Sequence, residues 1–344
     1  MIVIDGKEGG GQILRTALGL SAITGKSIKV INIRSARRGG TGLKPQHLEG
    51  LLAVAQLCDA EIRGAKLGST EVEFIPKKLR AKELNIKIST AGSIALLFQS
   101  LQIVSAFTGD IVKINVKGGS TASAWSPTIQ YVQNVFLPIV RKMGYCAEIE
   151  IIKHGFYPQG GAEVEITVHP IEKLTAIRLT SPGKTKRIKG VSVVGSLPEH
   201  IATRQAEAAK KYFVERNFSN VEIKTETVRT YSPGTSITLW AEAENSILGV
   251  DNLGKMGIRA EDIGKQAAEE LFKSLQSKSA LDKFMSDQII PFIALADGKS
   301  EVTVEKMTQH CISNISVCEK ILDCKFSVYE ASRRIEVKGM GFVS

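Results

Sequence analysis

"ILRTALGLSAITGKSIKV" (13–30) and "LFQSLQIVSAFTGDIVKI" (97–114) follow one pattern, and that shared pattern decides the fold. Both contain S-A-x-T-G, at 21–25 and 105–109, after an apolar run and before a short alternating segment. The apolar run predicts a buried helix, the glycine supplies the left-handed residue that ends it, and the alternation predicts a strand. "SDQIIPFIALADGKSEVTV" (286–304) repeats the plan, with Gly298 as the expected helix stop. Recurrence of one supersecondary unit predicts an α+β fold whose large domain consists of repeated helix-and-sheet units. Between 184 and 278 the texture changes. "TKRIKGVSVVGSL" leads to a helix in "PEHIATRQAEAAKKYFVE", strands near 220–229 and 235–244, and a helix in "AEDIGKQAAEELFKSL". This predicts a smaller inserted α/β (βαββα) domain over 184–278, with 1–183 and 279–344 forming the large one.

The repeat register also exposes polar residues. Arg15, Gln99 and Gln288 each stand ten positions before a unit's glycine, inside an apolar helix. One such residue is ordinarily a solvated position, but three at equivalent places predict convergence on a shared centre. Just upstream, "DGKEGGGQILR" (5–15) sets three glycines between Glu8 and Arg15. Consecutive glycines cost backbone entropy, so they imply a sharp bend or a close approach. Glu8 and Arg15 are the chemistry that such an approach would serve.

The 344 residues, 43% hydrophobic, suit a soluble globular protein with a sizeable core. No apolar run is long enough to span a bilayer, and the N-terminus has no signal pattern. Five cysteines (58, 146, 311, 318 and 324) form no C-x-x-C pair, which predicts reduced thiols and a cytoplasmic protein. The net charge of +10 points toward a polyanionic partner, although charge alone leaves a merely basic protein equally open. Only +3 of it falls in 184–278, so most belongs to the repeated part. Twenty aromatic residues include no aromatic-rich strand, so a bound RNA is expected to be held by its phosphates rather than by several stacked bases.

Two phosphate motifs fail on inspection. "TGKS" (24–27) and "DGKS" (297–300) resemble the end of a Walker A loop, but its first glycine is replaced by Leu20 and Ile293. "IRSARRGGTGLKPQHL" (33–48) is a better anion site: Arg34, Arg37, Arg38 and Lys44 surround glycines, with Gln46 and His47 close by. "GGSTASAWSPTIQYV" (118–132) and "HGFYPQGGAEV" (154–164) read as hairpins or loops, and His154 in itself as structural or solvated. The five histidines make no metal-ligand spacing. In "VEKMTQHCISNISVCEKIL", His310 borders a helical stripe of Val304, Met307, Cys311, Cys318 and Leu322, one turn before Asn314. A lone boundary histidine is usually structural. Its position after the third repeat, near Gln288, makes it a candidate.

Taken together, "DGKEGGGQILRTALGLSAITG", "GLKPQHL", "HGFYPQGGAEV", "NLGKMGIRAEDIGKQAAEEL", "SDQIIPFIALADG" and "MTQHCISN" resemble the RNA 3′-terminal phosphate cyclase family, in order and nearly from end to end. The family's fold is a large domain of repeated units with a small inserted α/β domain. It contains catalytic cyclases of the ATP-dependent ligase class and a branch of non-catalytic cyclase-like proteins in ribosome maturation that lack the catalytic histidine. Here that position holds His310, which favours the enzyme.

The resemblance implies that His310 attacks the α-phosphorus of ATP, passes AMP to an RNA 3′-phosphate, and so permits closure of a 2′,3′-cyclic phosphate. It implies Glu8 as ligand to Mg²⁺ or Mn²⁺ and Arg15 as a phosphate-binding catalytic residue. Gln99 and Arg37 match nucleotide-site positions. Pro127 with Phe284, Met285, Ser286, Asp287 and Gln288 would border the adenosine, and Arg34 and Gln46 would meet phosphate. The partner implied is RNA carrying a 3′-terminal phosphate. Around "SARRGG" the chain carries one extra residue, so Arg38 competes with Arg37 for the family arginine position. Phe284 stands where relatives can carry tyrosine, which keeps a ring and loses a hydroxyl.

Overall fold

The computed structural model describes residues 1–36 and 40–343. Three four-stranded sheets carry the repeat. In the first, β1 (Ile2–Asp5) runs parallel to β2 (Ile28–Ile31) across α1 (Gly11–Thr24). After α2 (Pro45–Cys58), β3 (Glu61–Arg63) and β4 (Val72–Ile75) add antiparallel, giving the order β1-β2-β4-β3. The second unit has β5 (Leu84–Ser93), α3 (Ile94–Ala106) and β6 (Val112–Ser120). A helix follows as α4 (Ile129–Tyr131), a π-helical turn (Val132–Phe136) and α5 (Leu137–Arg141), before β7 (Ala147–Lys153) and β8 (Glu163–Val168). Its order is β5-β6-β8-β7.

The third unit begins with β9 (Arg178–Leu179) and resumes at α8 (Met285–Gln288) and α9 (Ile290–Leu295). It closes with β14 (Asp297–Thr303), α10 (Gln309–Ile321), β15 (Phe326–Tyr329) and β16 (Arg334–Met340), in the order β9-β14-β16-β15. Each sheet therefore has one parallel pair and two antiparallel pairs in the same sequence. The reason is local: a parallel pair needs a crossover, which the apolar helix supplies, whereas the last two strands can return directly.

The helices pack together between the sheets. Every residue of α1 from Gly11 to Ala22 is buried, against α2, α3 and α10. Its apolar residues face all round rather than forming a stripe, as a fully enclosed helix requires. Among the described residues, no helix is long and apolar enough to cross a membrane.

Four local expectations need correction. Gly25 ends α1 in the left-handed region with φ 69°, as expected, but α3 stops at Ala106, before Gly109. Gly298 is no helix stop, because it lies within β14. The third helix is also broken in two. Pro291 has no N–H to donate, and it sits at the start of α9, where that N–H is not needed. Finally, Val304 and Met307 precede α10, whose buried face includes Cys311 and Cys318. All five cysteines are free thiols.

Between β9 and α8 the chain forms a fourth sheet from β10 (Thr185–Gly195), β11 (Val221–Val228), β12 (Gly234–Ala243) and β13 (Ile247–Leu253). Its order is β11-β10-β12-β13, with α6 (His200–Val214) and α7 (Ala260–Gln276) on one face. The connectivity is βαβββα rather than βαββα. "ILGVDNL", with its Gly, Asp and Asn, carries a weak strand signal and pairs because β12 is alongside. Phe213, Leu239, Leu248 and Leu271 make a separate apolar cluster under the two helices, while Val191, Val193 and Trp240 on the opposite face join the main core.

Two carboxylates, Asp282 wholly buried and Asp251 half-buried, fasten this sheet to the repeats. Asp251 on β13 accepts the Thr128 N–H at 2.8 Å. Asp282 accepts the Tyr131 hydroxyl at 2.8 Å and the N–H groups of Gly249, Phe284 and Met285 at 2.9 Å each. Burial pushes both carboxyls up to about 6, against the hydrogen bonds, which act to lower them.

A folded-state pKa above the unfolded one means that the contribution to stability is complete at low pH and is lost as pH rises through the folded value. Asp251→Asn keeps an acceptor for Thr128 and removes the titration. Relative to the parent, this variant should gain on the order of 2–3 kcal/mol as pH rises from below the unfolded value of 3.8 to above the folded value of about 6. Melting curves across that range check it. A gap in Tm that stays constant with pH would show that Asp251 is not a desolvated carboxyl.

Candidate functional site

Each glycine of the opening motif lacks a Cβ for a reason of its own. A Cβ on Gly9 would overlap the Ile13 side chain and stand 3.2 Å from Ser313 Cβ on α10. Gly10 has φ 56°. A Cβ on Gly11 would overlap His47 Nε2 and lie 2.8 Å from Arg15 Nη1. The glycines thus let the first turn of α1 close simultaneously on α2 and α10.

That closure gathers the cations. Arg15 is only 8% exposed, and it donates from Nε to Gln99 Oε1 at 3.0 Å and from Nη2 to Gln12 Oε1 at 2.7 Å. His47, also buried, accepts the Lys44 N–H on Nδ1 at 3.2 Å, which leaves its remaining proton on Nε2 facing Gly11. Burial first, then the charges of Arg15, Arg34 and Lys44, push its pKa down to about 3. Arg34 itself holds φ 58° and donates from Nη2 to the Gly40 carbonyl at 3.4 Å. Three cations around a neutral imidazole suit the oxygens of a phosphate.

Hydrogen bonds fix α10 against this pocket. Thr308 caps the helix by accepting the Cys311 N–H at 3.0 Å and donates its hydroxyl to the Asp287 carboxyl. Asn314 accepts the Thr16 hydroxyl at 2.8 Å and donates to the Asp287 carbonyl at 2.7 Å. His310 therefore sits in a first turn anchored to α1 and α8. Its neighbour Gln309 donates to Glu8 Oε2 at 3.3 Å, which brings the opening carboxylate beside that turn. Burial pushes the Asp287 carboxyl up to about 7.

The model of the family described as "RNA 3′-terminal phosphate cyclase" matches residues 6–328. A Pyrococcus abyssi protein of that name is 44% identical over 330 residues, covering 95% of both chains. Its Thermococcus kodakarensis namesake is 44% identical over 329 residues, 95% of this chain and 94% of the relative. The Ignicoccus hospitalis protein is 40% identical over 329 residues, 94% and 93% of the two chains. The chain belongs to the RNA 3′-terminal phosphate cyclase family.

The structure brings some of the cyclase-family residues read from the sequence together and leaves others apart. Arg15 and Gln99 are bonded to each other, and Glu8 and His310 flank Gln309. Gln46 spends its carbonyl on the Ser93 N–H at 2.7 Å, at the start of α3. Of the run 284–288, Met285 and Ser286 are wholly buried, and Phe284 meets Tyr131 edge-on at 6.0 Å. Gln288 donates to the Phe284 carbonyl at 3.2 Å, while its buried Oε1 receives no hydrogen bond from the described residues. Pro127 is half-buried in the loop before α4. Arg37 and Arg38 lie outside the described residues.

Sequence reasoning gave no role to Gln12, Thr16, Thr308 or Asn314, and only noted His47. Gln12 sits inside the glycine motif and could have been suspected. The Thr16–Asn314 pair joins positions 298 apart and leaves no local signal.

His47 should remain neutral and Nε2-protonated throughout the physiological range. Imidazole ¹⁵N spectra should show no titration near the ordinary value of 6.5 and a midpoint near 3, which Arg15→Met should raise. Because this pKa is depressed, the stability it confers is present above 6.5 and is lost as pH falls. A midpoint near 6.5 in the parent protein would mean that His47 is solvated rather than enclosed by the cations.

Proposed function

We propose that the protein is an ATP-dependent RNA 3′-terminal phosphate cyclase with His310 as its nucleophile. The observation that carries this is the anchoring of the His310 turn, by Thr308 and Asn314, beside both Glu8 and the helix of Arg15. The names of the relatives support the reaction class.

In the first step an imidazole nitrogen of His310 attacks the α-phosphorus of ATP, a P–N bond forms, the bond to the β-phosphate oxygen breaks, and pyrophosphate leaves. In the second, an oxygen of the RNA 3′-phosphate attacks the same phosphorus and the P–N bond breaks, returning the imidazole and leaving AMP on the RNA end. In the third, the ribose 2′-hydroxyl loses its proton and attacks the RNA phosphorus. AMP departs and a 2′,3′-cyclic phosphate closes. Adenylylation is needed because a terminal phosphate dianion has no good leaving group.

Arg15, oriented by Gln12 and Gln99, offsets charge on the transferring phosphates, and Arg34 with Lys44 extends the positive field. Glu8 is an exposed carboxylate, and no group of three metal-ligating side chains occurs among the described residues. So few protein ligands fit Mg²⁺ or Mn²⁺ shared with substrate phosphates better than an all-protein cage. Bound there, the ion would offset phosphate charge. In the same reading, 184–278 is a domain inserted into the third repeat, because its strands pair among themselves.

Incubation with ATP labelled at the α-phosphate and a divalent metal should leave acid-labile, base-stable label on the protein. His310→Ala and His310→Asn should abolish label and cyclisation together while sparing, in part, closure of RNA already adenylylated at its end. Glu8→Ala and Arg15→Ala should each slow labelling by 10²-fold or more, on the scale of other charge-stabilising groups. Label retained after replacement of His310 would move the nucleophile elsewhere, and a folded parent that never labels would favour the non-catalytic branch.

A further inference from the structure

Trp125 is 97% exposed and Tyr157 77%, unusual for rings in a chain this poor in aromatics. They come from separate loops, one before α4 and one after β7, yet both line a single cleft of about 650 Å³. Gln46 and Ser93 line the same cleft, and Gln46 immediately precedes His47 of the cationic pocket. Trp125 holds φ 62°, a conformation bulky residues rarely adopt.

Packing and a hydrogen bond tie down the scaffold beneath. Phe156 is buried where a Cβ on Gly195 would come within 2.8 Å of its ring, and Gln159 donates its N–H to Ser232 Oγ at 3.0 Å. Tyr231, 63% exposed, stands close by with Lys153 Nζ 3.9 Å from its ring centroid. None of the described residues lining the cleft carries a charge. An uncharged, ring-bearing cleft beside a cationic pocket divides the labour expected of a nucleic-acid end site: bases on one side, phosphate on the other.

We propose that this cleft receives the unpaired bases just upstream of the RNA 3′-terminal phosphate and stacks them on Trp125 and Tyr157. The proposal rests on the reading of the protein as an RNA-end cyclase. Every base has a π face, so the platform selects for a single-stranded 3′ tail and tolerates any sequence in it.

Two measurements on the full chain test this. Trp240 is buried, so single-stranded 3′-phosphorylated RNA should quench emission from Trp125, and Trp125→Phe should remove that quenching while keeping affinity. Trp125→Ala and Tyr157→Ala should each weaken the RNA by on the order of ten-fold, in binding and in KM, and leave the KM for ATP in self-adenylylation unchanged. RNA whose last bases are locked in a duplex should bind the parent weakly and be indifferent to Trp125→Ala. Unchanged RNA affinity in both alanine variants would overturn the proposal. So would a raised KM for ATP with RNA unaffected, which would give the cleft to the adenine instead. Quenching by RNA from a parent that never forms the covalent adenylate would support the platform while sinking the catalytic reading.

Discussion

Arg15 carries a positive charge into a helix that has no exposed face, and the arrangement around it follows from that constraint. A guanidinium removed from water must be hydrogen-bonded, since an uncompensated buried charge costs several kcal/mol. Gln12, one turn earlier, and Gln99, from the second repeat, both present carbonyl oxygens to it. Its charge in turn helps to hold His47 neutral. Gly11 closes on the neutral His47 ring of α2 and Gly9 on Ser313 of α10, and these two approaches bring α1, α2 and α10 together. Removing any of these groups would expose the others to a cost they do not now bear.

The threefold repeat explains why such a centre exists. Each sheet delivers one wholly or largely apolar helix to the middle of the molecule, and each of those helices carries a polar residue at the equivalent position: Arg15, Gln99 or Gln288. The first two meet. The third instead donates to the Phe284 carbonyl one turn before it, where α8 and α9 are separate short helices. The repeat accounts for the convergence of the first two, and the break in the third helix accounts for the separate bonding of Gln288.

Legibility in the sequence followed distance along the chain. The repeat, Gly25 as a helix end and the helices of the fourth sheet depend on spacing within a dozen residues, and they were readable. β13 was not, because its composition is poor for a strand and its pairing comes from a neighbour already in place. The break at Pro291 was in plain view but outweighed by the likeness of the third unit to the first two. Of the candidate site, residue types and motif order were readable, while the contacts that make it a site were not: Gly11 against His47, Thr16 to Asn314, Glu8 to Gln309. Trp125 and Tyr157 show the same limit, since a search for an aromatic-rich strand cannot find a surface assembled from two loops.

Asp287 joins these strands of argument. Its carboxyl receives the hydroxyl of Thr308, the residue that caps α10, and its carbonyl receives the amide of Asn314 one turn beyond His310. Five residues earlier, Asp282 fixes the same segment to Tyr131 and to Gly249 of the fourth sheet. The segment proposed to border adenosine is therefore tied at one end to the helix bearing the proposed nucleophile and at the other to the fourth sheet. Both ties run through carboxyls whose pKa is raised by burial, to about 7 and about 6. Displacing 284–288 would cost hydrogen bonds to both, so this segment and the His310 turn are held as one body. In the proposed mechanism, a nucleophile that meets ATP and then an RNA end gains from such coupling, because the phosphorus it would carry is presented to the second substrate in the geometry set by the first.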